Sequence, residues 1–216
     1  MSVLVKGGTV IDPAQGLNGI FDVALRDGKV TEVGPSIKAN SSEVFDASGL
    51  IVVPGLIDLH VHAFWGGSTY GIDPVVSSLS KGVTTVLDAG SAGTWNFPSF
   101  RSHIINKNRT SIYALLNIST TGMVFSNDGE LRDLRWLDLN YTVEEGLANK
   151  DCILGIKARL GRVQSGKNDK EALKISIEAA EAMGGFVMIH IGGSNTPLPQ
   201  LIDMLRPGDV VTHSFH

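Results

Sequence analysis

Cysteine is almost absent: Cys152 is the one example in 216 residues. That excludes an internal disulfide and any CxxC metal knuckle. Basic residues are not in excess either. Lys and Arg number 18 against 22 Asp and Glu, a net charge of −4, and no basic stripe runs along the chain. The balance argues against a nucleic-acid partner. The amino terminus, MSVLVKGG, has one short apolar patch that meets a glycine pair at once. It offers no signal-peptide core, and no apolar run is long enough to span a bilayer. A cytoplasmic location without membrane contact is the default expectation. The remainder, 43% hydrophobic and 19% charged, is ordinary for a globular protein. The length allows one sizeable core, or a small domain beside a larger one.

Two textures follow one another along the chain. Up to residue 54 there are short β-rich pieces: Val3-Leu4-Val5, Gly8 to Ile11, Asp22 to Leu25 and Val30 to Val33. Asp12-Pro13, Asp27-Gly28 and Gly34-Pro35 punctuate them, and Asp-Gly between strands signals a hairpin. This predicts part of a small β-sandwich over residues 1–54. From residue 55 onward, apolar runs alternate with helix-like stretches. The runs are Leu56 to Leu59, Thr84 to Leu87, Ile112 to Ile118, Ile153 to Ala158, Phe186 to Ile191 and Val210 to Thr212. Short, fully apolar runs fit strands buried on both faces of a parallel sheet. The helical stretches are 73–81, 97–106, 141–148, 170–183 and 198–205. In the clearest, Ala172, Ile175, Ala179 and Ala182 fall on one stripe. Repeated β-then-α units predict an α/β fold, a (β/α)₈ barrel over residues 55–216. About six strands are countable where such a barrel has eight. The chain therefore reads as a partial barrel, the front part of a longer protein.

Active sites of these barrels lie at the carboxyl ends of the strands. His60 and His62 stand there on the first run. Side chains at i and i+2 of a strand share a face, so both rings can reach one cation, at about 2.0–2.1 Å if it is zinc. His190 ends the fifth run and His213 the sixth. His103 and His216 do not share this placement, and His103 is expected on a helix surface. Lys157, inside the fourth run, separates the readings. A buried lysine loses its proton readily. Its neutral amine can take up carbon dioxide as a carbamate, whose two oxygens can bridge two cations. Converging ligands from several strands make a purely structural role for these histidines the weaker reading.

At this point the chain resembles a known family. PGLIDLHVHAFWGG, GVTTVLDAGSAGTWNF, GIKARLGR and RPGDVVTHSFH are similar to the amidohydrolase superfamily, and more narrowly to its amidohydrolase/deacetylase metallohydrolases related to dihydroorotases. The resemblance covers the whole chain. It implies two divalent metal ions, zinc the first choice. His60 and His62 would hold the more buried one and His190 and His213 the second, with carboxylated Lys157 between them. It implies hydrolysis of an acyl amide or ester of a small molecule, such as an N-acyl amino acid, by a hydroxide bridging the metals. The catalytic aspartate of the family stands on strand eight, which this chain does not reach. No catalytic acid–base residue is therefore assigned, and the 216 residues alone are expected to be inactive.

Arg159 lies on the same strand face as Lys157 and is a candidate for a substrate carboxylate. Asp58 either supports a metal-bound histidine or makes a strand-end hydrogen bond. Asp88 either shapes the pocket or caps its loop. Phe64 and Trp65 either line the pocket or simply pack. Gly66-Gly67 and Gly192-Gly193 fit no phosphate-loop pattern. Three other functions compete. A cyclic-amide hydrolase is the near alternative. A truncated, non-catalytic paralogue or scaffold is another. A one-metal deaminase would not need Lys157. Oligomeric state, including a homo-oligomer, is open.

Overall fold

Asp27-Gly28 is the sharpest turn signal in the first fifty residues, and both residues take left-handed backbone there, with φ of 50° and 77°. Two positive φ values match the type I′ turn that suits a twisted hairpin. The computed structural model describes residues 2–38, 43–125 and 128–215. The chain divides into two compact units between Leu56 and Ile57.

The first unit holds β1 (Ser2–Asp12), β2 (Leu17–Arg26), β3 (Lys29–Gly34), β4 (Glu43–Asp46) and β5 (Ile51–Val52). They form one mixed sheet in the order β3-β2-β1-β4, with β5 also paired to β1. The two short strands expected over residues 3–11 are a single strand, β1, interrupted by an irregularity between Val5 and Gly8. The cause is local. Gly7 adopts φ 70°, and its N–H donates to Asp22 Oδ1 (2.9 Å) instead of to the ladder. The other Asp22 oxygen accepts from Ile37 N (2.9 Å). These two bonds hold the Asp22 carboxyl below its usual range.

The second unit alternates strand and helix. In chain order it contains β6 (Leu56–Val61), α1 (Pro74–Ser77), β7 (Val83–Ala89), α2 (Phe97–His103), β8 (Ser111–Asn117) and α3 (Leu139–Ala148). β9 (Ile153–Gly161), α4 (Asp169–Met183), β10 (Phe186–Gly192), α5 (Leu198–Ile202) and β11 (Val210–Thr212) follow. The six strands form one curled parallel sheet in sequential order, β6 through β11. This is the partial (β/α) barrel expected from the pattern. Helix starts follow from capping: Asp73 accepts from Val75 N ahead of Pro74, and Asp138 accepts from Tyr141 N. Gly184 closes α4 in left-handed backbone. No helix among the described residues is long and apolar enough to cross a membrane.

Burial is greatest at β9, where Ile156, Lys157, Ala158, Arg159 and Leu160 are all buried. Against it α4 buries Ala172, Leu173, Ser176, Ala179 and Ala180. The buried face is rotated from the expected stripe, and Ala182 is exposed. Ser176 belongs to the buried face because its hydroxyl donates back to Ala172 O (2.6 Å), which satisfies it away from water. β6 also departs from expectation. Leu56, Ile57 and Leu59 are exposed, because β6 is an end strand of the six-stranded sheet.

Close strand approach is written into Gly155. It faces Phe186 in the register, and a Cβ there would stand 2.1 Å from the Phe186 carbonyl oxygen. Gly155→Ala is expected to cost about 1–3 kcal/mol through forced backbone displacement. A urea midpoint unchanged from the parent would contradict this register.

Candidate metal centre

The candidate ligands His60, His62, Lys157, His190 and His213 lie on β6, β9, β10 and β11 or directly after them. His60 is in β6 and His62 follows it by one residue beyond the strand. Lys157 lies in β9, in register with Asn117 of β8 and Met188 of β10. His190 is in β10, opposite Arg159 and Thr212. His213 follows β11 with a left-handed φ of 67°, a conformation that costs a non-glycine residue about 1–3 kcal/mol. Its ring lies 4.9 Å from those of both His60 and His190. The His60 and His62 rings are 5.5 Å apart, edge to face. His103 is exposed on α2, as expected. His216 lies outside the described residues.

Lys157 is the chemical anomaly. It is 1% exposed, and its Nζ has no hydrogen-bond partner. Burial brings its pKa down to about 7. The neighbouring Arg159 charge adds to that, while Asp88 and Glu130 oppose it. Burial also lowers the histidines, His60 to about 4, His62 to about 3 and His190 to about 4, with Lys157 adding to each. All three rings are therefore neutral at physiological pH, the form that ligates cations.

The rings are oriented by hydroxyls. His60 Nδ1 is hydrogen-bonded to Thr212 Oγ1 (2.7 Å) and His62 Nδ1 to Ser91 Oγ (2.9 Å). With Nδ1 donating, Nε2 keeps its lone pair, which is how a second layer of contacts prepares a ligand. Ser91 is itself placed by Asp88, a fully buried carboxylate at the end of β7. Asp88 accepts from Ser91 N (2.7 Å) and from Ala63 N (2.6 Å). Burial raises its pKa against the pull of those bonds. Between Asp88 and Ser91, Gly90 takes φ 83°, and a Cβ on it would stand 2.4 Å from Lys157 Cβ. Glycine is required there because the lysine stem lies directly on the backbone. Asn117 donates from its amide to Gly90 O (3.0 Å) and holds the turn.

Arg159 is engaged by a residue that sequence reasoning missed. Its Nε and Nη2 donate to Glu130 Oε1 and Oε2 (2.6 and 2.8 Å), a buried bidentate pair. Asp58 accepts from the His60 backbone N–H (3.0 Å), so it steadies the strand end, with no bond to the ring. Thr212 and Ser91 were also missed. Strand-end hydroxyls are too common to stand out, whereas the 'Asp88-x-x-Ser91' spacing at a strand end was a visible signal.

The donor set suits divalent cations: imidazole nitrogens beside an amine that, once carboxylated, offers oxygens. No group of three or more His, Cys, Asp or Glu among the described residues forms a ready metal cluster by itself. The arrangement turns on Lys157, which lies electrostatically against His60, His62 and His190.

Known proteins share this framework. The chain is 38% identical over 192 residues to a deacetylase of Agrobacterium fabrum, covering 88% of this chain and 47% of that protein. Among solved structures, a dihydroorotase superposes with a TM-score of 0.92 at 32% identity, covering 97% of this chain and 56% of that one. An adenine deaminase superposes with a TM-score of 0.86 at 30% identity, covering 97% and 55%. The chain thus spans about half the length of the curated relatives it matches. No protein-family model matches it.

The depressed histidines carry a signed pH dependence. Unfolded imidazoles protonate near pH 6.5, whereas His60, His62 and His190 resist protonation until about pH 3–4. The metal-free chain therefore has this stability in full above about pH 6.5 and loses it as pH falls toward 4. Urea midpoints at about pH 7 and about pH 4.5 are expected to differ more for the parent than for a variant with all three replaced by asparagine. Equal differences would rule out the buried, neutral rings.

Proposed function

We propose that the chain belongs to the amidohydrolase superfamily, as its similarity to a deacetylase and a dihydroorotase supports, and that its histidine–lysine cluster holds two divalent cations in a hydrolase acting on an acyl amide or ester of a small molecule, as a deacetylase does. The observation that carries the reading is Lys157 Nζ, buried and unpartnered among neutral imidazoles. In this reading His60 and His62 hold one cation, His190 and His213 the other, and carboxylated Lys157 lies between them. Residues 55–216 are then the hydrolase barrel, and residues 1–54 part of a small β-sandwich domain.

The fold prepares Lys157 for carboxylation. With a pKa of about 7, about half of the amine is neutral at neutral pH, against a very small fraction for an ordinary lysine. The amine nitrogen attacks the carbon of carbon dioxide, an N–C bond forms, one C=O electron pair moves to oxygen and a proton leaves to solvent. The resulting anion replaces an uncompensated amine with oxygens able to ligate. Two cations held there, zinc in the first instance, would supply the Lewis acidity that activates water and polarises a carbonyl. Thr212 and Ser91 hold the rings of His60 and His62 in one orientation. Asp58 keeps the His60 backbone in place. Arg159, with Nε and Nη2 given to Glu130, has Nη1 as the part left to a substrate carboxylate. None of the 216 residues is assigned the acid–base role.

Hydrolysis of a cyclic amide is the second reading, favoured by the close superposition on a dihydroorotase. The lysine separates both from a one-metal deaminase.

Metal stoichiometry tests the centre directly. Purified chain given zinc and bicarbonate is expected to bind two equivalents, and about one when carbon dioxide is excluded. Lys157→Ala is expected to bind one equivalent or fewer with or without bicarbonate. Two equivalents at unchanged affinity in that variant would overturn the bridging role. Gly90→Ala, which removes no donor but pushes on the lysine stem, is expected to lose the bicarbonate-dependent equivalent. Retention of both equivalents there would mean that the stem does not need its present position.

A further inference from the structure

The second unit holds a recess of about 430 Å³, lined by Trp95, Asn96, Thr121, Val124, Phe125, Asp128, Gly129, Glu130 and Trp136. It falls in the size range of small-molecule sites. Its connection to the centre is short: Glu130 in its lining grips Arg159, two residues from Lys157 on β9.

The recess is built rather than incidental. Trp95 N donates to Thr120 O (2.9 Å), and Thr120 N donates to Trp136 O (2.8 Å). One residue thus fixes both tryptophans through its backbone, and their rings meet edge to face at 5.3 Å. Asn96 ties in the same segment, donating to Thr121 O and accepting from Gly93 N. The opposite side is pinned as firmly. Leu131 N donates to Gln164 O, Arg132 donates to Val163 O and Arg162 O, and Asn168 donates to Leu131 O and Arg132 O.

Within this frame, large apolar groups face solvent. Trp95 is 59% exposed and Phe125 58%. Exposed aromatics gathered around one recess mark a binding surface. The charge is one-sided. Among the described lining residues there are two carboxylates, Asp128 and Glu130, and no Lys, Arg or His. Glu130 is neutralised by Arg159, whereas Asp128 makes no ion pair among the described residues. Indole faces and a carboxylate together favour a cation with an apolar body.

We infer that this recess is a subsite for an alkyl- or arylammonium group. Its role in holding substrate rests on the hydrolase reading above; its binding of the cation does not. The test is therefore made without metal and without turnover, on the full chain carrying Trp65→Phe so that Trp95 and Trp136 are the remaining fluorophores. Benzyltrimethylammonium, benzyl alcohol and benzoate are titrated against tryptophan fluorescence. The ammonium is expected to bind saturably and about tenfold tighter than benzoate. Asp128→Asn is expected to weaken the ammonium severalfold and leave benzyl alcohol unchanged. Trp136→Ala is expected to abolish saturation, and Trp136→Phe, which keeps an aromatic face, to retain most of it. Benzoate binding as tightly as the ammonium, or an Asp128→Asn variant with unchanged ammonium affinity, would overturn the subsite. Ammonium binding intact in a chain that fails the zinc stoichiometry described above would instead count against the hydrolase centre alone.

Discussion

An amine taken out of water and given nothing to bond organises this molecule. Lys157 stands in the most buried strand of the sheet, and an isolated charge there is costly enough that the group gives up its proton instead. Everything around it is arranged to make room for the stem while leaving the nitrogen alone. Gly90 lies against the methylenes, Asn117 holds Gly90, and Asp88 fixes the turn that contains it. The nearby carboxylates Asp88 and Glu130 are each already committed, one to backbone N–H groups and the other to Arg159. A free carboxylate in reach would have captured the amine as an ion pair and removed its reactivity.

The same burial acts on the imidazoles. Four rings gathered with neighbours 4.9–5.5 Å apart would repel one another if charged. Low polarity and mutual proximity keep His60, His62 and His190 neutral, so lone pairs, not protons, occupy the mouth of the sheet. The left-handed backbone at His213 fits this account: local strain is accepted so that its ring falls between His60 and His190, a cost that packing elsewhere offsets.

Much of this was legible beforehand, for identifiable reasons. All six strands of the second unit coincide with apolar runs, because buried strands under helices have little polar content to disguise them. The Asp27-Gly28 hairpin was equally plain, since few dipeptides tolerate two positive φ values. β4 and β5 were not foreseen: Glu43–Asp46 is exposed throughout and Ile51–Val52 is two residues long, so neither carries a periodic signal. Ser176 broke the α4 stripe because its hydroxyl is satisfied by its own helix. Glu130 was invisible for a different reason. It lies in the long connection between β8 and α3, where no periodicity indicates what a side chain will meet. The histidines and lysine were readable because their chemistry is out of place in apolar runs. Their partners Ser91 and Thr212 were not, because a hydroxyl at a strand end is unremarkable.

Several of the pins that hold this centre lie very near the strand ends. Asp88 joins the first residues beyond β6 to those beyond β7, and Thr212 and Ser91 reach the rings from equally close to their strands. The longer connections reach back to the same places: Ile72 N donates to His62 O (2.8 Å), the Tyr70 ring lies 6.2 Å from that of His62, and Met123 N donates to Ser91 O (2.9 Å). Cluster and connections are thereby mechanically coupled. A change of length in the connection after β6 or β8 would be felt at the ring of His62, so a scaffold of this kind can be diversified only where a connection carries no such tie.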